Sequence, residues 1–428
     1  MRRILISAIF DASTPGGGNE YSFSLAREWL RRGCVVHVLT STFTRKLGDL
    51  EPFVASQQLR LYPISDYGKI LLGHAYEQGV HDRARDIIQD VQPDSIHIHN
   101  FQGLLGAVWA AVESGRKTLY AGLDFGMVCL NWYLYDGSGT PCEGPAPGKC
   151  RDCLLRQHKV PFTRRLLSLV PFVVFRWLKW DAAYHKQFAW LDDYHRNADA
   201  HLEKLLPLLP RFDGIVTISP AIGEGLRKFG VSEAKIHYSV QGLSAPSVVP
   251  TAIEPSGGTR LIFLGHMAPI KGLGVVAEAL SRLPPDLDFL ITVYGPAARD
   301  FVKRQPMSAR RYLAVKDFLV GDEVERDLVA SDGVVIPSLW QENSPYALLR
   351  ALSVGRPVLA SRYNGFTHLL RSGENGFLLP PGDSAAWAEC LLGVARDPAL
   401  LRRMRGGCSF SKTVTEHAQD VENVLASL

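Results

Sequence analysis

Apolar positions along the first hundred residues switch between two periods. Residues 4–10 form a short apolar run of strand length. Tyr21, Leu25, Ala26, Trp29 and Leu30 then fall on one face of a helix, with Arg27, Arg31 and Arg32 off it and Gly33 closing it. Residues 35–40 predict the next strand, and a helical pattern over 76–89 leads to another at 95–99. Strand, helix, strand at this spacing predicts a parallel sheet covered by helices on both faces.

The rhythm resumes after a Pro-, Ser- and Gly-rich stretch at 244–259, which reads as a linker. Strands are expected at 260–264, 289–294, 333–336 and 357–361, and helices at 274–283 and 346–354. Two similar α/β halves follow, with the default ligand site beyond the carboxyl ends of their strands. Residues 125–210 do not alternate cleanly and read as an insertion in the first half.

Composition narrows the class. The chain has 428 residues, 46% of them hydrophobic and 21% charged, enough to bury a large core, which excludes disorder, collagen and coiled coil. Forty-seven Lys and Arg against 43 Asp and Glu leave a net charge of +4, too mild for a nucleic-acid footprint. No secretory or membrane-spanning segment is expected: the run at 4–10 is short and leads into a Gly-rich turn, and 166–175 is half a bilayer span and holds a Pro and a Ser.

Four of the seven cysteines share one window, as Cys129-x12-Cys142-x7-Cys150-x2-Cys153. Four thiolates satisfy tetrahedral zinc, and a structural zinc is expected there, against the alternative of unlinked thiols. Between Arg164 and Trp180, basic residues flank an apolar stretch with Trp and Phe. That suits a peripheral contact with an anionic membrane, or a helix pair packed into the first half. His97 and His99 alternate onto one face at a strand end and read as a structural pair or a cleft lining.

Three constellations carry chemistry. Gly17 and Gly18 follow the first strand and open a helix, where missing side chains and a helix amino terminus admit an anion. Gly265, His266 and Lys271 follow a strand of the second half, and the Lys can reach a phosphate. In Glu342-Asn343-Ser344-Pro345-Tyr346, Ser344 suits a helix N-cap and Pro345 the first helical position. A helix amino terminus opposite a Lys cradles a diphosphate, and a carboxylate beside it reads a polyol.

On these motifs the chain resembles the retaining glycosyltransferases of family 4, of GT-B fold, over most of its length. The resemblance runs through Gly17-Gly18-Asn19-Glu20, residues 25–40, 94–100, 212–242 and 365–383, and is most specific at 337–361. It implies two Rossmann-like domains facing across a cleft. The first, 1–243, would face the acceptor and carry the insertion; the second, 244–410, would hold the donor; a helix at 411–428 would pack back on the first. It implies a nucleotide diphosphate sugar donor, a glycan or lipid-linked acceptor, retention, no metal for catalysis, and a cytoplasmic protein, peripheral at the inner membrane face. Gly17 and Gly18 would meet donor phosphate or sugar, Lys271 the diphosphate, Glu342 the sugar hydroxyls, and Asn343 and Ser344 would offer backbone N–H groups. Asp124 would lie near the reacting centre.

Three positions depart from the family pattern: His266 where an Arg is usual, Arg350 at the second Glu of the Glu-x7-Glu motif, and Leu123 where a His precedes the Asp. Arg350 cannot accept a hydrogen bond from a ribose. It suits a ligand anion or a local salt bridge. The departures keep a second expectation open, a noncatalytic GT-B protein that binds a partner glycosyltransferase or a glycan.

Overall fold

The computed structural model describes residues 1–11, 16–41, 46–65, 76–136, 140–146, 148–157, 198–244, 257–317 and 323–428. They form two compact units. Unit 1 holds Met1–Ile218, Ile222–Ser239 and Ala418–Leu428; unit 2 holds Ser219–Ala221 and Val240–His417. The basic-aromatic patch between Arg164 and Trp180 lies outside the described residues.

Unit 1 is built on β1 (Arg3–Ser7), β2 (Val35–Ser41), β3 (Leu59–Ser65), β4 (Ser95–Ile98), β5 (Thr118–Gly122), β6 (Gly214–Thr217) and β7 (Ile236–Tyr238). They pair in parallel in the order β3-β2-β1-β4-β5-β6-β7. β1 is a near-continuous apolar run because both faces of the sheet are covered: Ile4, Leu5 and Ile6 are all buried. Helix α1 (Gly17–Arg31) buries the predicted face, Tyr21, Leu25, Ala26, Trp29 and Leu30. Helix α2 (Gln78–Val91) buries Val80, Ala84, Ile88 and Val91, a repeat of three and four. Ala418, Val421 and Leu425 belong to the same core.

β1 stops at Ser7, short of the expected Phe10. The chain leaves the sheet there because the Ile9 N–H is taken by Asn100 Oδ1 at 2.8 Å, and Phe10 stacks on Phe23 of α1 with ring centroids 4.1 Å apart. Within 125–210 the structure shows helices α3 (Lys149–Gln157) and α4 (Ala198–Leu205).

Unit 2 contains β8 (Thr259–Ile262), β9 (Phe289–Tyr294), β10 (Leu313–Lys316), β11 (Gly333–Ile336), β12 (Val358–Ser361) and β13 (Gly376–Leu379). Their order is β10-β9-β8-β11-β12-β13, all parallel. Strand alternation divides the core between the two faces. Leu261, Val335 and Leu359 pack under α5 (Leu273–Leu280) and α8 (Ser384–Arg396). Ile262, Val334, Ile336 and Ala360 pack under α6 (Glu323–Ala330) and α7 (Tyr346–Ser353). Asp383 caps α8, its carboxylate accepting from the Ala385 and Ala386 N–H groups at 3.0 Å each.

Each sheet thus shows the Rossmann-like order, in which the chain builds outward from its first strand and then reverses past it. Among the described residues no helix is long and apolar enough to cross a membrane. Leu5→Ala, at a fully buried position of β1, should destabilise unit 1 by about 2–5 kcal/mol, read as a lower urea midpoint.

Candidate active site

In unit 2 the reversal lies between β8 and β11, and two loops leave the sheet there. The first runs through Gly265 and His266 to the short turn Pro269–Lys271 and Gly272. The second is 337–345, ahead of α7. Gly272 has φ 75°, and a Cβ on it would fall 1.8 Å from the Pro337 carbonyl oxygen. Only glycine permits that approach. Leu339 N–H donates to the Ile270 carbonyl at 2.8 Å, completing the join.

The join brings Lys271 to Glu342, with Nζ 2.6 Å from Oε1. The same Oε1 accepts from Ser338 Oγ at 2.6 Å and Trp340 Nε1 at 3.0 Å. The Lys271 ammonium also sits 5.3 Å from the centroid of the Trp340 ring, within cation–π range. The Glu342 side chain is 5% exposed and that of Lys271 20%, so the pair is shielded from water on the Glu side.

Backbone contacts hold Glu342 from behind. A Cβ on Gly365 would lie 1.5 Å from the Glu342 carbonyl oxygen. With its amide turned to satisfy both ends, Gln341 accepts from the Gly365 and Asn364 N–H groups at 2.9 and 3.1 Å. Ser344 is fully buried with φ 52°, a left-handed conformation costly for a residue with a Cβ. Its carbonyl accepts from Gln241 Nε2 at 2.9 Å, and its hydroxyl lies 3.0 Å from His368 Nε2. The expected N-cap role of Ser344 is therefore corrected: Pro345 occupies the cap position, and the Ser344 hydroxyl is turned to His368. The amino terminus of α7 still begins at this join, with its partial positive charge.

The two departures in unit 2 have distinct surroundings. Burial, then the Lys271 ammonium, holds His266 below its ordinary 6.5, with Glu342 opposing. His266 is thus favoured as a neutral hydrogen-bonding group near pH 7. Arg350 Nε lies 3.7 Å from Glu325 Oε1 of α6, the local salt bridge.

In unit 1, Gly17 and Gly18 form the first turn of α1. Among the described residues a Cβ on Gly18 would meet only Leu123 Cδ1, at 3.8 Å, so their packing does not require glycine there. Asp124 is partly buried in the turn after β5, and its Oδ1 accepts from the Gly126 N–H at 2.7 Å. Gly126 is pressed under Trp132, whose ring a Cβ would reach at 2.4 Å. Burial pushes the Asp124 carboxyl up to about 6, although the Gly126 N–H pulls it down. His97 and His99 are buried, with His97 Nε2 3.0 Å from Ser95 Oγ and His99 Nδ1 3.2 Å from Ser22 Oγ. They are a structural pair.

The zinc expectation finds no support. Among the described residues no three His, Cys, Asp or Glu side chains group as a set able to hold a metal ion. Among the described residues Cys129, Cys142, Cys150 and Cys153 form no disulfide. Cys129 donates to Asn131 Oδ1 at 2.7 Å, Asn131 Nδ2 lies 3.4 Å from Cys153 Sγ, and Cys142 donates to the Gly144 carbonyl at 3.4 Å. A carboxamide stands among the sulfurs.

Sequence reasoning missed Ser338 and Trp340. The signal was present: two side-chain donors four and two positions before a lone Glu in a loop.

Two family models match the chain: Glycosyltransferase Family 4 over residues 15–121 and Glycosyl transferases group 1 over 258–397. Together they cover more than half of it. The phosphatidyl-myo-inositol mannosyltransferase of Mycobacterium leprae is 27% identical over 42% of this chain and 48% of its own. The D-inositol 3-phosphate glycosyltransferase of Arthrobacter is 31% identical over 34% and 36%. The putative colanic acid biosynthesis glycosyltransferase WcaL of Escherichia coli is 26% identical over 43% and 48%. The chain thus spans about half or less of these curated relatives. Among solved structures, Anabaena Alr3699/HepE in complex with UDP-glucose aligns over 100% of both chains with a TM-score of 0.65 and 16% identity. WaaG, a glycosyltransferase involved in lipopolysaccharide biosynthesis, aligns over 99% and 100% with 0.66 and 13%. At these identities the likeness shows the fold, which is GT-B.

Two variants test this geometry. The Asp124 carboxyl is raised from 3.8 to about 6, so its protonated form is favoured in the fold. Stability from this group is full below pH 3.8 and lost as pH rises through about 6. Asp124→Asn keeps the Oδ1 acceptor, so it should be more stable than the parent at pH 7.5 and equal at pH 3.5. The gain should fall below the ~3 kcal/mol that the interval represents, because the carboxyl keeps some solvent contact. Denaturant unfolding at both pH values measures it. Gly365→Ala should destabilise unit 2 by about 1–3 kcal/mol and weaken any ligand that depends on Glu342, as calorimetry and binding would report.

Proposed function

We propose, from its place in glycosyltransferase family 4, the group 1 glycosyltransferases to which this chain belongs, that it transfers a sugar from a nucleotide diphosphate sugar to a glycan or lipid-linked acceptor with retention. The observation that carries the donor half is the Lys271–Glu342 pair, set at the reversal of the unit 2 sheet beside the amino terminus of α7. A cation and a helix amino terminus suit a diphosphate, and a shielded carboxylate suits sugar hydroxyls.

In the proposed reaction the bond between the anomeric carbon and the β-phosphate oxygen breaks, and its electron pair leaves with the diphosphate. Lys271 and the α7 amino terminus stabilise that charge, which grows toward the transition state. His266, neutral, donates a hydrogen bond rather than a charge. Gly265 keeps the strand end open, and Asn343 and Ser344 line the approach to α7. The acceptor hydroxyl bonds to the anomeric carbon on the face the diphosphate leaves, and its proton departs with the leaving group. Gly17 and Gly18 would let the donor approach closely, since packing among the described residues leaves Gly18 unconstrained. Asp124, with its carboxyl near 6, would sit by the reacting centre.

The names of relatives support the substrate classes: one takes phosphatidyl-myo-inositol, one belongs to colanic acid synthesis, and a fold neighbour holds UDP-glucose. Cytoplasmic placement, with a peripheral membrane contact between Arg164 and Trp180, belongs to the same proposal. The second reading, a noncatalytic GT-B protein that binds a partner glycosyltransferase or glycan, is favoured by Arg350. That side chain is engaged with Glu325 instead of presenting an acceptor.

Millimolar UDP or GDP should raise the melting temperature, since a ligand at 100 times its Kd adds about 2.7 kcal/mol. Release of nucleoside diphosphate from a nucleotide sugar should accompany transfer, and Lys271→Ala should lower it about 100-fold or more. Binding without release would establish the noncatalytic reading, and no stabilisation by either nucleotide would overturn the donor site.

A further inference from the structure

Three donors converge on one oxygen of Glu342. Lys271 Nζ, Ser338 Oγ and Trp340 Nε1 all reach Oε1, at 2.6, 2.6 and 3.0 Å. Oε2 accepts no hydrogen bond from any described residue. The asymmetry has a chemical consequence. A bound diphosphate would compete with Glu342 for the Lys271 ammonium, which is held on Oε1 at 2.6 Å. When it leaves, the carboxylate loses its only counter-charge among the described residues. The terminal torsion of Glu is soft and nearly two-fold, so an unsupported carboxylate would turn to follow the cation.

Ser338 and Trp340 oppose that rotation. Ser338 is fully buried and Trp340 is 7% exposed, so water competes little for either bond. The indole N–H is a donor only and has no alternative role toward a carboxylate. Hydrogen bonds to an ionised acceptor in such surroundings are among the strong ones. Both donors lie in the same loop as Glu342, so they stay with it whatever Lys271 does.

We propose that Ser338 and Trp340 are positioning residues of the donor site: they hold Glu342 by Oε1, so that Oε2 takes a hydroxyl of the donor sugar while Lys271 moves to the diphosphate. This rests on the donor-site reading above. It assigns the two halves of the donor to separable groups, the diphosphate to Lys271 and α7, and the sugar to a carboxylate aimed by Ser338 and Trp340.

The test is calorimetric binding to the full chain of UDP, GDP, UDP-glucose, UDP-N-acetylglucosamine and GDP-mannose. Trp340→Phe removes the N–H and keeps a smaller aromatic face beside Lys271. It should weaken the best-bound nucleotide sugar about tenfold, and leave the matching nucleoside diphosphate within about twofold. Ser338→Ala should show the same split, and decides the matter if Trp340→Phe does not fold. Equal weakening of sugar and diphosphate ligands, which a merely structural role would give, overturns the proposal, as does no weakening of either. If the parent chain binds none of the five, the donor-site reading itself falls, an outcome distinct from a failed split.

Discussion

A parallel sheet whose chain builds outward from its first strand and then reverses leaves one place where two neighbouring loops diverge to opposite faces. In unit 2 that place lies between β8 and β11, and everything chemical about the unit is arranged around it. The two loops must descend close together before parting, which is why Gly272 can carry no side chain against the Pro337 carbonyl. That same closeness places an ammonium from one loop on a carboxylate from the other. The fold thus brings two loops together here, and the sequence supplies the cation and the anion that meet.

Much of this was legible in the residues. β9 and β11 run as read, since Phe289–Tyr294 and Gly333–Ile336 are apolar segments punctuated by Gly or Pro. The helix face of Tyr21, Leu25, Ala26, Trp29 and Leu30 is buried as its spacing requires. Lys271 and Glu342, 71 residues apart, were singled out for matching strand ends and are bonded. β3, β5, β6, β7, β10 and β13 do not stand out in the sequence. All but β3 are three to five residues long, so no window holds enough period to separate them from loop, and β3 is interrupted by Pro63.

Other features depend on contacts that no local pattern encodes. Ser344 has the composition of a cap, but His368, 24 residues on, claims its hydroxyl. The four cysteines have zinc spacing, yet Asn131, with no place in that pattern, reaches Cys129 and Cys153. Arg350 breaks the family's carboxylate pair, and its meaning depends on Glu325 from a neighbouring helix. In each case a side-chain contact that spacing does not encode bears on readings that spacing alone leaves equal.

Unit 1 is discontinuous. Its core includes Ala418, Val421 and Leu425, while the Lys117 ammonium donates to the Leu425 carbonyl at 3.2 Å and Ser239 donates to Asp420 at 2.9 Å. The residues of unit 2 lie between them in the chain. On the ribosome, the amino-terminal unit therefore cannot finish closing when its own sheet has emerged. It waits, with part of its apolar surface uncovered, through the synthesis of nearly two hundred further residues. Unit 2 can complete its core first, so the order of maturation runs opposite to the order of translation.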